Sequence, residues 1–249
     1  MSRPTYRAVF FDLFGTLIRF EPALLPKIVI DGRRRPSTLG IWGGLVEETL
    51  PGVGLEAFAR AVFAVSLELD HERTTTHIER PSRERFHRAL VRLETPSGLA
   101  HELAPLYARA HMRAIADITR FPAEHAQVLA DARRRGATAV ITNFDDTATA
   151  YDILGRHGIL AAVDSVVVSE AVGLRKPHGV LVRLALRDVA VAAAEAIMVG
   201  DHAVEDVGAA AAAGVDAVWI DAEGIGVADG APQPRYVVRA LPEVTALLA

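Results

Sequence analysis

The sequence predicts an α/β protein: a doubly wound, mostly parallel, Rossmann-like sheet core with an inserted all-helical cap domain. Three observations lead there. Five apolar runs of strand length, at 8–11, 138–141, 165–168, 196–199 and 217–220, are continuous rather than alternating, as in strands covered on both faces. Segments of helical period separate the last four runs, which is the wiring of βαβ units. Between the first run and the second lies a long stretch, residues 20–120, of almost purely helical pattern.

Taken in order, the first run ends in VFFDLFGTL, where four apolar residues lead straight into Asp12 and the chain then turns at Gly15-Thr16. Inside residues 20–120, LEAFARAVFAVSLEL and RERFHRALVRLE carry Leu, Ala, Arg and Glu at helical spacing, and one short strand at 27–30 is the exception. Past residue 120, helices are expected at 123–135, 145–157, 179–188 and 203–213. Gly136, Gly158 and Gly214 follow three of them, where a left-handed C-terminal residue is wanted. A Gly/Pro-rich loop at 223–234 precedes a last short strand, 236–238, and a helix. The core is therefore expected at 1–19 with 121–249, and the cap at 20–120.

Composition narrows the function. Of 249 residues 51% are hydrophobic, enough for a substantial core, and the net charge of −4 disfavours nucleic acid or an anionic membrane as the main partner. The triplets Arg33 to Arg35 and Arg133 to Arg135 read as solvated surface. The absence of cysteine excludes disulfides, thiolate metal sites and a Cys nucleophile. The polar MSRPTYR start and the short apolar run behind it do not form a signal peptide or a membrane span, so a cytoplasmic enzyme is expected. Only two of the 27 basic side chains are lysines, Lys27 and Lys176, which draws attention to each.

Ligands of an open α/β sheet bind beyond the carboxyl ends of its strands. The residues there are Asp12, Thr142, Asn143, Asp201 and, a turn later, Asp206, with Lys176 in the GLRKP loop. Three carboxylates at one sheet edge repel each other, and one lysine offsets only one of the charges. A divalent cation offsets the other two, and Mg²⁺ favours such an oxygen-only site. A carboxylate, Mg²⁺, a lysine and a Thr hydroxyl beside backbone N–H groups suit a phosphoryl group, which Asp12 would attack to form an aspartyl-phosphate.

Four segments in order, FFDLFGTL, VITNFDD, GLRKP and VGDHAVEDVGAAAAAG, resemble the haloacid dehalogenase superfamily of hydrolases. The likeness covers residues 6–20 and 121–249, and the helical insert matches the family's α-helical cap in position and character. The resemblance implies Asp12 as nucleophile and metal ligand, with the Phe14 backbone carbonyl also on the metal. It implies Thr142 and the Asn143 amide on the phosphate and Lys176 stabilising nucleophile and phosphate charge. Asp201 is implied as a direct Mg²⁺ ligand, and Asp206 as a ligand or as orienting through water.

Phe14 departs from the pattern, because phosphatases of the family usually carry there a second Asp that protonates the leaving alkoxide. Such acid–base help is worth about 10²–10⁴-fold. The favoured reading is a Mg²⁺-dependent phosphatase of a small, anionic phosphorylated metabolite, with a good leaving group or an acid supplied by cap or substrate. The alternative is a 2-haloacid dehalogenase, in which Asp12 attacks carbon and halide leaves without a proton. Such enzymes resemble S-x-N-x-x-D at the fourth segment and have a tyrosine shortly after Lys-Pro, whereas this chain has GDHAVED, and Val182 near the tyrosine position. A third reading is a binding or regulatory member with little turnover.

Other residues carry blander expectations. Asp145 and Asp146 start a helix, Trp42 and Trp219 belong to core or interface, and His202 sits beside the site without taking part. Cap histidines His71, His77, His87 and His111 read as surface residues. Glu170 is expected to support Lys176 by a charge-assisted bond. The arginines of RPSRERFHRALVR, residues 80–92, read as an exposed helical face in preference to a lining for a substrate's anionic tail.

Overall fold

In the computed structural model, which describes residues 5–248, the core sheet has six strands: β1 (Ala8–Phe11), β2 (Ala137–Thr142), β3 (Ser165–Val168), β4 (Ala196–Gly200), β5 (Asp216–Ile220) and β6 (Tyr236–Val238). Their order is β6-β5-β4-β1-β2-β3 and every neighbouring pair is parallel. The predicted doubly wound α/β class is therefore the observed one, with the strand order of dinucleotide-binding sheets. The order reverses between β1 and β4, and that is where such sheets open a crevice at their carboxyl ends.

Continuous apolar runs became strands because both faces are covered. All of β1 and β4 is buried, and Phe10 and Phe11 are fully so. Full burial of such a side chain stabilises by roughly 1.5–3 kcal/mol. One core cluster joins Phe10, Ile141, Met198 and Trp219 from the strands to Leu181, Val182 and Ala209 from helices. The core helices include Ala123–Arg135, Thr147–Arg156, Val180–Val189 and Gly208–Ala213, with short ones at Ser169–Val172 and Val244–Leu248. Asp146 caps the second by accepting from the Thr149 N–H at 2.9 Å, as expected of a helix start.

Two local expectations are corrected. Gly158 and Gly214 do adopt left-handed φ values of 71° and 73°. Gly136 is extended, and its reason is proximity: a Cβ there would sit 2.1 Å from the Arg7 carbonyl oxygen. The segment 203–213 is not one regular helix, because Ala203–Val207 forms a widened π-helical turn before Gly208–Ala213.

The chain divides into two compact units, Glu21–Thr119 and the remainder. The inserted unit contains helices Gly43–Thr49, Leu55–Thr76, Ser82–Arg92 and Ser97–Asp117, packed around Trp42, Phe58, Phe86 and Tyr107. It also holds an antiparallel hairpin, Lys27–Ile30 with Arg33–Pro36. Its second strand runs through the arginine triplet, and all four of its residues are exposed.

Candidate active site

Parallel register brings the carboxyl ends of β1, β2 and β4 level, with Phe11 opposite both Val140 and Val199. Asp12 leaves β1, Thr142 ends β2, and Asp201 follows β4 directly. Oxygens of Asp12, Asp201 and Asp206 all lie within 4.8 Å of one another. Two glycines make room for them. Gly15, at φ 90°, would place a Cβ 2.2 Å from Asp201 Oδ2, and a Cβ on Gly200 would meet Asp206 at the same distance. The hydroxyl of Thr16 donates to Asp201 Oδ1 at 3.2 Å, and Trp219 Nε1 donates to the Asp201 carbonyl at 3.0 Å. Asp206 is buried in the π-helical turn and accepts from the His202 N–H at 2.9 Å.

Lys176 is 1% exposed and donates to Asp12 Oδ1 at 2.5 Å, Asp206 Oδ1 at 2.6 Å and the Ile141 carbonyl at 2.9 Å. An ammonium has three N–H groups, so all are committed. Lys176 thus holds two carboxylates, and a phosphoryl oxygen would have to share or displace one of these bonds. Among the described residues Asp12 Oδ2 accepts no hydrogen bond, and the 1%-exposed Thr142 hydroxyl has no partner. A ligand oxygen would supply that partner. The Asn143 side chain turns elsewhere: its Oδ1 accepts from the Lys176 N–H at 2.8 Å, and its Nδ2 donates to the Lys176 carbonyl at 3.0 Å and to Glu205 Oε2 at 2.9 Å.

Burial pushes the Asp12 carboxyl up to about 8; Lys176 opposes this in part, and Asp206 and Asp201 add to it. Asp201 is raised too, by burial and by Asp206. Burial works against the Lys176 charge, but Asp12 and Asp206 together hold its ammonium above the ordinary lysine range. One ammonium among three carboxylates leaves a negative excess, and the oxygen-only donor set fits a hard divalent cation.

An unfolded Asp titrates near 3.8, so without metal the folded state holds the extra proton from there up to about 8. Stability contributed by protonated Asp12 is present at the acid end and lost as pH rises through about 8. The melting temperature of metal-stripped wild type, measured relative to Asp12→Asn, is therefore expected to fall between about pH 5 and 8, and Mg²⁺ to restore it most at the alkaline end. A pH-independent difference would show that Asp12 titrates normally.

Phe14 stacks on Phe20 with ring centroids 4.8 Å apart and packs on Phe144 at the same separation. Glu170 does not reach Lys176. It accepts from the Thr147 hydroxyl at 2.5 Å, at the first turn of helix Thr147–Arg156, where unpaired N–H groups favour a carboxylate. His202 caps its own turn by accepting from the Glu205 N–H at 3.1 Å, and Trp42 and Trp219 are buried in their cores. Sequence reasoning missed Glu205 and Thr16, which stand inside the motifs GDHAVED and FGTL but carry no sign of their partners.

Within the inserted unit most arginines of residues 80–92 are spent on ion pairs. Arg88 pairs with Glu72 and Glu84, Arg92 with Glu68 and Arg80 with Glu72. Arg85 donates to His111 Nε2 at 3.1 Å, and Arg83 lines a cavity of about 260 Å³ with His87 and His101.

A model of the haloacid dehalogenase-like hydrolase family matches residues 6–214. The chain belongs to that family. This hydrolase is 38% identical over 166 residues to a phosphoserine phosphatase of Thermus thermophilus, an alignment covering 66% of this chain and 64% of that relative, so the match spans under two thirds of the relative's length. Among solved structures it resembles a 2-haloacid dehalogenase from Pseudomonas syringae pv. Tomato DC3000, with a TM-score of 0.73, 23% identity and 98% of each chain covered. It also resembles a phosphatase of the same family from Thermococcus onnurineus, with a TM-score of 0.63, 20% identity and 98% of each chain covered. Those identities speak for the fold alone, and since both chemistries occur on it, the choice between them rests on the site. Among the described residues no helix is long and apolar enough to cross a membrane.

Proposed function

We propose that this hydrolase is a Mg²⁺-dependent phosphatase of a small phosphorylated metabolite, acting through an aspartyl-phosphate on Asp12. The observation that carries the reading is the charge balance: three converging carboxylates against one buried ammonium. The relative described as a phosphoserine phosphatase supports the same chemistry.

Asp12, Asp201, Asp206 and the Phe14 carbonyl would hold the Mg²⁺, which when bound neutralises phosphoryl oxygens and keeps Asp12 ionised. Asp12 Oδ2 attacks phosphorus in line, and the ester P–O bond breaks with its electron pair going to the leaving oxygen. Thr142 Oγ1 and the Asn143 backbone N–H hold the phosphoryl group. Lys176 fixes Asp12 Oδ1 and so aims Oδ2. Water then attacks phosphorus, the P–O bond to Asp12 breaks with its electron pair returning to the carboxylate, and the water's protons leave on the phosphate or to solvent as phosphate departs.

Phe14 has no proton for the leaving oxygen. Phe14→Asp is accordingly expected to raise turnover of alkyl phosphates by about an order of magnitude or more. Acetyl phosphate and p-nitrophenyl phosphate, whose leaving groups need little protonation, should change far less. A lowered melting temperature from the lost stacking on Phe20 and Phe144 would accompany the gain. Equal effects on both substrate types would make position 14 irrelevant to the acid step.

The same aromatic packing favours a second reading, the 2-haloacid dehalogenase, because a halide departs unprotonated from beside an apolar surface. One experiment separates the two. Metal-stripped protein is offered p-nitrophenyl phosphate, acetyl phosphate and 2-chloropropionate, each with and without Mg²⁺. Phosphate release that depends on Mg²⁺ supports the phosphatase. Halide release without metal, and no phosphate release, supports the dehalogenase. Silence on all three points to the binding or regulatory member.

A further inference from the structure

We infer that Asn143 and Glu205 form a positioning clamp for Lys176, and that the Asn143 side chain does this in place of touching substrate. Lys176 lies in an irregular stretch beyond the short helix Ser169–Val172, yet its ammonium has to meet Asp12, Asp206 and Ile141 simultaneously. A long, flexible lysine side chain does so only if its own backbone is held. Asn143, one residue past the end of β2, reads both the N–H and the carbonyl of Lys176, at 2.8 and 3.0 Å. The lysine thereby borrows the rigidity of the sheet.

Glu205 fixes which way that amide faces. Its Oε2 takes the second hydrogen of Asn143 Nδ2 at 2.9 Å, so a flipped amide would set its oxygen against a carboxylate. Its Oε1 accepts from Arg175 at 3.2 Å, which ties down the residue preceding Lys176. Segments 143, 175–176 and 205, far apart in the chain, are joined at one carboxylate. Glu205 stands too far along this chain of contacts to be a catalytic residue, and acts through Asn143 and Lys176.

The test uses Asn143→Ala, Glu205→Ala, Glu205→Gln and the double alanine variant, each assayed with Mg²⁺ and p-nitrophenyl phosphate. The kinetic part rests on the phosphatase reading. Each single alanine variant is expected to lose about 10- to 100-fold in kcat, since a catalytic group displaced by about an ångström costs that order. KM and inhibition by inorganic phosphate should stay within about twofold. The double variant should lose less than the product of the two singles, because both act on one lysine. Glu205→Gln keeps an acceptor for Asn143 and should recover most of the rate.

Hydrogen exchange of the Lys176 amide, followed by NMR on the full chain, is independent of activity. It is expected to quicken at least about tenfold in both single alanine variants, because that N–H bonds to Asn143 Oδ1. Unchanged exchange overturns the clamp. So does a raised KM or weakened phosphate inhibition in Asn143→Ala with Glu205→Ala silent, which would make Asn143 a substrate ligand. A kcat loss that follows the fall in melting temperature, with no recovery in Glu205→Gln, would make the pair merely structural and also overturns it. If wild type releases no phosphate, the phosphatase reading fails while the exchange measurement still decides the clamp.

Discussion

Asp12→Asn is expected to abolish hydrolysis, lowering turnover by on the order of 10⁴-fold or more, while leaving the fold intact. The amide is isosteric with the carboxylate but cannot attack phosphorus or carbon to form a stable ester. The change also removes one of three carboxylates crowded within 4.8 Å, so the melting temperature without metal should hold or rise, most clearly at alkaline pH. Activity and stability then move in opposite directions, which a misfolded variant cannot imitate. Substrate turnover and thermal unfolding on the same preparation check it. Retained turnover would remove Asp12 from the reaction, whichever substrate proves to be the natural one.

Lys176→Met is expected to be costly in both respects. Methionine replaces most of the buried lysine stem but leaves Asp12 and Asp206, buried at 7% and 1% exposure, without their shared cation. Removing one partner of a buried charge pair costs about 3–5 kcal/mol. At about 2–4 °C per kcal/mol for a chain of this size, the melting temperature should fall by roughly 6–20 °C. Mg²⁺ should recover a larger share of stability in this variant than in wild type, because a divalent cation can stand in for the lost charge. Turnover should fall by at least about 10²-fold, since Asp12 Oδ1 is no longer held. Thermal unfolding with and without Mg²⁺ is the measurement. An unchanged melting temperature would mean that Lys176 does not carry the charge balance of the site.

Much of this protein is legible in its sequence. The bounds of β1, β3 and β6 are readable from local β-rich runs, and the residues of interest are the polar ones that end the strands. Local signals are sufficient for β1 because a strand covered on both faces must be apolar throughout, and any polar residue at its end has a reason to be there. The edge strand β6, with Val237 half exposed, is readable from its β-rich Tyr-Val-Val alone. The misses share a different cause. Gly136 answers to Arg7, Glu170 to Thr147, and Glu205 to Asn143 and Arg175, each a partner distant in the chain. The second hairpin strand was hidden in Arg33-Arg34-Arg35 because an exposed strand has no buried face to impose a pattern.

Sheet class, the helical insert and the inventory of chemical groups at the strand ends follow from period and spacing along the chain. How those groups pair depends on contacts between segments distant in the chain. Strand order sets β4 beside β1, and so brings Asp201 and Asp206 to Asp12 across nearly two hundred residues of chain. The same packing commits all three Lys176 N–H groups to Asp12, Asp206 and Ile141, and turns the Asn143 side chain to the Lys176 backbone. Spacing along a chain names the charges, but the distances that set their energies arise only when the strands are laid side by side.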